Sequence, residues 1–415
     1  MRDETETVDE FRRRARTWLA ATMPRLDDRV APPSRAARVA HDRRLQRLLW
    51  DGGFAGICFP AEYGGLGLSA AHQHAFTEES LPYDMPFMFN VPTLGILAAT
   101  LIDFGTDEQK ARHLPAILRG EELWVQFLSE PTGGSDLAGS LTRADRDGDV
   151  WILNGSKIWS SAADTSDYAM CLARTNWDVP KHRGLTMFIV KIHQPGIRID
   201  RIRQVDGSMD FCQEFFDDVE ISADDVVGDV DDGWTVASRL LLHERSAVGG
   251  GSPYTSGRTI GGATRGRDPL MVRLARRAGR VDDPVARQLV AEAHVDQLVA
   301  NSLVRRITTG TASGGLAPAA GAIMKLFGAV MGVRRSEIMF ELAGSDAVDW
   351  AADDTDGSDL ADTFLSRQGY CLGGGSNEIQ RNIISERVLG MPREWAADRE
   401  VPFRDVRRNT MPPPR

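Results

Sequence analysis

The chain has 415 residues, 42% of them hydrophobic and 26% charged, which is enough apolar material for about two or three buried cores in a globular protein. Its formal net charge of −10 argues against nucleic acid, whose binding depends on Lys and Arg displacing counterions from phosphate. No apolar run approaches the roughly 18 residues of a membrane span, and Met1-Arg2-Asp3-Glu4 lacks the apolar centre of a signal peptide, so a cytoplasmic location is expected. Cys58, Cys171, Cys212 and Cys371 are widely spaced, form no CxxC pair and read as reduced structural thiols. His72 and His74 stand outside any HExxH or Cys/His cluster, so no metal site is expected.

Val8, Phe11, Ala15, Trp18, Leu19 and Met23 recur at helical spacing, and the chain opens with an amphipathic helix that Pro24 ends. A second helix is predicted from about Arg35 to Trp50, stopped by Asp51-Gly52-Gly53, and residues 69 to 120 stay helical in pattern. The texture changes near Leu123. Short runs rich in β-formers follow at 150–153, 168–172, 185–190, 197–199 and 212–216, with turns such as Asp147-Gly148-Asp149 between them, which suggests a compact β-barrel or sandwich. Helical patterns return at about 233–247, 284–309, 318–343 and 359–371, with a last helix after Ser376, as in a four-helix bundle. The glycine-rich stretch from Gly249 to Gly266 reads as a mobile loop. The expected division is an N-terminal helical domain over 1–122, a middle β-barrel over 123–232, a helical bundle over 233–395 and a tail over 396–415 that holds no core alone.

Leu128-Ser129-Glu130-Pro131-Thr132-Gly133-Gly134-Ser135-Asp136 and, downstream, Asn154-Gly155-Ser156-Lys157-Ile158-Trp159-Ser160-Ser161 strongly resemble the two flavin-binding segments of the acyl-CoA dehydrogenase family. Pro60-Ala61-Glu62-Tyr63-Gly64-Gly65 and Gly105-Thr106-Asp107-Glu108-Gln109-Lys110 look like further landmarks of it, so the resemblance runs from about residue 8 to 393. The residue types suit the chemistry: an isoalloxazine ring needs backbone N–H groups and small hydroxyls along its polar edge and an aromatic wall for its face, and glycines let the backbone approach. The same residues would also suit a plain turn with a core tryptophan. The resemblance implies FAD as cofactor, with Gln126, Leu128, Ser129, Gly134, Ser135, Trp159, Ser161, Ser376 and Glu378 as its contacts. It also implies the family architecture, an α+β chain of helical domain, β-barrel and four-helix bundle.

Two further segments decide how such a chain would work. Gly373-Gly374-Gly375-Ser376-Asn377-Glu378-Ile379-Gln380-Arg381 is similar to the family's catalytic C-terminal segment, but glycine stands at Gly374, where many members carry the glutamate base. Leu242-His243-Glu244-Arg245 places a glutamate at the alternative base position of isovaleryl- and long-chain-type members. A carboxylate flanked by Leu240, Leu241 and Leu242 on a helix is open to desolvation, which brings its pKa toward that of a working base. A helix-surface Glu and Arg in ordinary salt bridges is the competing reading. Ser376 is a fitting N-cap for the helix that follows the glycines, where free N–H groups gather. By resemblance, the N–H at Gly374 helps hold the thioester carbonyl, and Ser135, Arg245 and Gly375 meet the substrate.

The resemblance therefore implies an acyl-CoA dehydrogenase in which Glu244 takes the α-proton and the β-hydrogen leaves as hydride to flavin N5, giving a trans-2-enoyl-CoA, with electrons passing to an electron-transfer flavoprotein. An acyl-CoA oxidase or a non-catalytic subunit of a heteromeric dehydrogenase would carry the same motifs. A base moved off position 374 suggests a bulky, branched or steroid side-chain thioester, as part of lipid breakdown. The family's Arg-x-x-Phe element is absent from Leu270-Met271-Val272-Arg273-Leu274-Ala275-Arg276-Arg277-Ala278-Gly279-Arg280, and Gln-x-x-Gly-Gly is replaced by Glu341-Leu342-Ala343-Gly344-Ser345. Because those elements serve a neighbouring subunit's FAD, the expectation is a tetramer, homomeric or α2β2 with a related subunit, the latter slightly favoured. The arginines from 273 to 280 then read as a solvated helix face or a local phosphate contact.

Overall fold

The computed structural model describes residues 6–28, 32, 34–248, 252–256, 269–349 and 355–407. Helices α1 (Val8–Thr22) and α2 (Arg35–Asp51) form where the apolar spacing places them. Thr7 and Glu10 close a capping box at the start of α1, and Phe11, Ala15 and Leu19 make its buried stripe. Helix α3 (Ala70–Ser80) follows, then a π-helical stretch over Phe89–Ala98 that runs into α4 (Ala99–Phe104), and α5 (Asp107–Leu118). Pro92 lies inside the π-helical turns. The wider i→i+5 winding accommodates a residue that would break an ordinary helix.

The middle of the chain is a single eight-stranded sheet with hydrogen-bonded order β6-β7-β3-β2-β4-β5-β8 and β1 pairing β4 in parallel. The strands are β1 (Trp124–Phe127), β2 (Arg143–Asp147), β3 (Val150–Ser161), β4 (Tyr168–Arg174), β5 (Leu185–Lys191), β6 (Ile197–Arg201), β7 (Phe211–Ser222) and β8 (Val226–Val227). Side chains from strands far apart in this path, such as Phe127, Trp151, Cys171, Phe188 and Phe216, share one core cluster, so the sheet wraps a common interior although its two end strands are not paired. The opposite face of β4 and β5, through Met170, Leu172, Met187 and Ile189, joins the N-terminal helices in a second core.

Helix α6 (Gly233–Val248) lies on that second core, with Val236, Ala237, Leu240 and Ala247 buried in it. Beyond it come α7 (Pro269–Arg277), α8 (Pro284–Ala312), α9 (Gly321–Ala343), α10 (Thr355–Ser366) and α11 (Asn377–Ile383). Residues of α7 to α10 build a third core that includes Met271, Leu289, Ile338, Met339, Leu342 and Leu360. The segments where the family pattern is missing face each other here: Arg277 pairs with Asp346 at 3.1 Å, and Arg280 donates to the Glu341 carbonyl at 2.7 Å. The four cysteines are free thiols. The reading of Gly249 to Gly266 as a loop falls outside the described residues except for 252–256. There Gln73 donates to the Thr255 carbonyl and Asn90 to the Ser256 carbonyl, tying the segment after α6 to the N-terminal helices.

The segment after residue 395 borrows a core from the sheet. Phe403 is buried, its N–H donates to the Val179 carbonyl at 2.9 Å, and the buried Arg174 guanidinium lies over its ring at 3.5 Å. Lys181 bridges Asp136 at 3.0 Å and Asp398 at 3.5 Å, so this strap also reaches the loop after Ser129.

Candidate active site

Glu244 is the point from which the site is built. On α6 it stands four residues after Leu240 and three before Ala247, on the helix face that enters the core, so an ionisable side chain occupies a core position and is only 9% exposed. Burial pushes its carboxyl up, against the opposing pull of a hydrogen bond from Gln126 and the charges of Arg245 and Lys325. Gln126 on β1 donates from Nε2 to Glu244 Oε2 at 2.6 Å. Arg245 is half-buried, and its desolvation lowers its pKa.

The glycine turn before α11 meets the same carboxylate. A Cβ at Gly374 would lie 3.4 Å from Glu244 Oε1 and 3.3 Å from Lys325 Cε. Gly374 and Gly375 have φ of +69° and +90°, where a side chain costs about 1–2 kcal/mol, so glycine is the natural occupant of this turn. Gln380 clamps it by donating to the Gly374 carbonyl at 3.1 Å and the Gly375 carbonyl at 3.3 Å, and Ser376 caps α11 by accepting from the Ile379 N–H at 3.3 Å. Glu378, by contrast, is on the exposed side of α11 and pairs with Arg381 at 3.4 Å.

The other half of the site is the turn between β1 and β2. Glu130 there is almost fully buried and bonded to Lys157 Nζ at 2.9 Å, to the Leu141 N–H at 2.6 Å and to the Thr142 N–H at 2.9 Å. Lys157, fully buried on β3, also donates to the Leu128 carbonyl at 3.0 Å, and the Ile158 N–H donates to the Ser129 carbonyl at 2.9 Å. These bonds bring the two motif segments together. A Cβ at Gly133 would meet nothing closer than 4.0 Å, and one at Gly134 would be 3.4 Å from Ser129 Oγ, so the loop leaves its approach open. Ser135 and Ser161 are exposed. Trp159 is held at φ +69° with 54% of its surface exposed, edge-on to Phe211. A large aromatic presented to solvent in a left-handed conformation fits a wall awaiting a planar ligand. Beside the loop is a cavity of about 290 Å³ lined by Thr132, Gly133, Asp136, Ser140 and Lys181, with Phe403 of the strap on its border. A flavin's demands are met by this set: open glycine backbone, a small hydroxyl at Ser129 and an unpaired aromatic face.

Lys325, Gln380 and the Gln126–Glu244 bond are site features the sequence reading missed. Lys325 had a signal, a lone cation in the apolar run Ile323-Met324-Lys325-Leu326-Phe327. Glu214 on β7 was missed too. It is fully buried, accepts from Ser160 Oγ at 3.1 Å, and burial raises its pKa to about 8. A folded pKa above the unfolded one stabilises the fold below about pH 4.5 and loses that contribution as pH rises toward 8. Thermal unfolding of Glu214→Gln should therefore show a flatter decline of Tm between about pH 5 and 8 than the parent chain. Identical slopes would show that Glu214 does not titrate there.

Family models for acyl-CoA dehydrogenases match three parts of the chain: the N-terminal domain over residues 5–121, the middle domain over 126–219 and the C-terminal domain over 231–389. The chain belongs to the acyl-CoA dehydrogenase family. It is 36% identical over 394 residues to the acyl-CoA dehydrogenase IpdE1 of Mycobacterium tuberculosis, covering 94% of this dehydrogenase and 99% of the relative. Among solved structures, the Tcur3481-Tcur3483 steroid acyl-CoA dehydrogenase superposes with a TM-score of 0.74 at 26% identity, covering 93% of this chain and 98% of that one. The ChsE4-ChsE5 complex of M. tuberculosis gives 0.71 at 27% identity, covering 95% and 100%. The three-part architecture and the dehydrogenase activity expected from the motifs are those of the family, and membership implies FAD.

Proposed function

We propose that this dehydrogenase uses Glu244 as the base for α,β-dehydrogenation of a bulky acyl-CoA, with a steroid side-chain thioester as the leading candidate. The observation that carries the reading is the buried Glu244 carboxylate facing the Gly374 turn, 3.4 Å from where a side chain at 374 would begin. The carboxylate accepts the α-proton as the Cα–H bond breaks, and the water-poor surroundings keep it basic enough to do so. The N–H groups of the left-handed Gly374–Gly375 turn polarise the thioester carbonyl, stabilising enolate-like charge. Arg245 and Ser135 position the CoA portion. Leu128, Ser129, Gly134, Ser135, Trp159 and Ser161 would hold the isoalloxazine half of FAD, with Gln126 beside them, and Ser376 and Glu378 would serve other parts of the cofactor. Bound FAD supplies the acceptor for the β-hydrogen and its electron pair, which gives the trans-2-enoyl product. An electron-transfer flavoprotein is the proposed next acceptor, and the cytoplasm the proposed location. The likeness to the Tcur3481-Tcur3483 steroid acyl-CoA dehydrogenase supports the substrate class. A panel of acyl-CoA thioesters followed by flavin bleaching tests it: a ring-bearing thioester should give the highest kcat/KM, and butyryl- or palmitoyl-CoA as best substrate would overturn the bulky-acyl reading.

The proposed assembly is an α2β2 tetramer with a related subunit. Support comes from the missing adenine-side elements, from the two-component names of the structural relatives, and from apolar side chains left open on α8. Val285, Val295, Leu298 and Val299 are each 45% exposed or more, a surface that suits a helical partner. Co-expressed with its partner, the tetramer should hold about two FAD, and the chain alone should bind FAD poorly. A homotetramer with FAD tightly bound in every subunit would decide for the homomer. That second reading has its own observation: Arg276, Arg280 and Arg287 line an apolar groove between α7 and α8, which offers phosphate contacts.

A further inference from the structure

The hydrogen bond between Gln126 and Glu244 joins residues 118 positions apart, at the meeting of the sheet and α6. We propose that Gln126 is a positioning residue for the base, holding one carboxylate oxygen so that the other is presented to the reacting carbon. This rests on the assignment of Glu244 as base. The geometry divides the carboxylate in two. Oε2 takes the amide N–H at 2.6 Å, while Oε1 is the atom that faces the Gly374 turn. Among the described residues Gln126 is the hydrogen-bond partner of Glu244, so this one bond orients the side chain.

The chain holds Gln126 firmly. Its backbone sits in the β1–β4 ladder opposite Met170, and its carbonyl accepts from Ser160 Oγ at 3.2 Å. Its own Oε1 is buried with no partner among the described residues. Keeping a buried amide half-satisfied costs stability, which is characteristic of groups retained for function rather than packing. A primary amide is also the right donor chemically. It stabilises the ionised carboxylate without offering a proton that could be transferred, unlike a lysine or histidine at the same place.

Gln126→Met keeps the volume and removes the donor. The acid limb of the kcat/KM–pH profile for flavin reduction should move up by about one pH unit, since the carboxylate loses a charge-assisted hydrogen bond. Gln126→Glu, which adds a like charge, should move it further. Flavin reduction is measured on FAD-loaded protein, so that any loss of FAD caused by changing a residue beside the isoalloxazine does not enter the profile. A residue that merely packs would lower the plateau of the profile and leave the limb in place, so superimposable limbs in Gln126→Met overturn the proposal. A second readout does not use turnover. The Tm–pH curves of the parent and Glu244→Gln diverge where Glu244 titrates, and that window should lie higher in the Gln126→Met background; an unmoved window also overturns it. The two failures are distinct. If Glu244 is not the base, Glu244→Gln reduces its flavin normally, whereas if only the role of Gln126 is wrong, Glu244→Gln is inactive while both Gln126 measurements stay unmoved.

Discussion

Glu244→Gln should retain FAD and acyl-CoA binding but lose flavin reduction by several orders of magnitude, beyond the ~10²–10⁴ usual for a general base. The substitution leaves the shape of the site intact and keeps a hydrogen-bonding side chain on α6. It removes the only carboxylate that the described residues bring to the Gly374 turn within contact distance. Lys325 is near, but an ammonium that donates to the Tyr370 carbonyl at 2.6 Å is no proton acceptor. Rapid mixing with the best thioester of the panel measures the effect, and near-normal reduction would sink the assignment. Adding Gly374→Glu to this variant should restore part of the rate, because a carboxylate there starts from the same place. Recovery should be incomplete, since the left-handed backbone at 374 strains any side chain.

The second large effect is on stability. Lys157→Met should destabilise the sheet by about 3–5 kcal/mol, the usual consequence of stripping one partner from a buried ion pair. Glu130 is held far below the usual carboxylate range, at about 2, because the Lys157 charge and the bonds from Ser140 and Leu141 outweigh its burial. That depression contributes about 3 kcal/mol above the unfolded pKa and is lost as pH falls from about 4.5 to 2. Lys157 also ties down the Leu128 carbonyl, so the variant should release FAD more readily. The double variant Glu130→Gln, Lys157→Met should regain much of the loss, because no buried charge is then left uncompensated. Thermal unfolding with FAD quantification checks both, and a Tm unchanged from the parent would refute the account.

Where sequence and structure agree, the reason is periodicity. α1, α2, α8 and α9 carry apolar residues at helical spacing, and β3, β5 and β7 are long enough for their β-formers to stand out. β1 escaped because three of its four residues are buried, which removes any alternation. β2 escaped for the opposite reason: Arg143-Ala144-Asp145-Arg146-Asp147 is charged and exposed at four of five positions and exists through its pairing with β3. β8 is two residues long, and the tail owes its order to Arg174 and Val179, which nothing local in Pro402-Phe403-Arg404 announces. In the site, Glu244 and the glycine turn were readable because each sits in a contiguous motif. The amide of Gln126 reaching Glu244 was not, since only the fold brings β1 to α6.

The nearness of position 374 to Glu244 also bears on ancestry. A proton acceptor housed on one helix in some family members and on another in the rest looks like a wholesale rearrangement. Here the two housings open onto one point in space, so exchanging them takes two substitutions and a relaxation of the left-handed turn at 374. One order passes through a chain with no carboxylate, which selection would discard. The other passes through a chain with two, where like charges at this range share a proton and one group stays ionised. A lineage taking that route carries a carboxylate at this point in every generation, and the change of base is then a short step between two neighbouring positions.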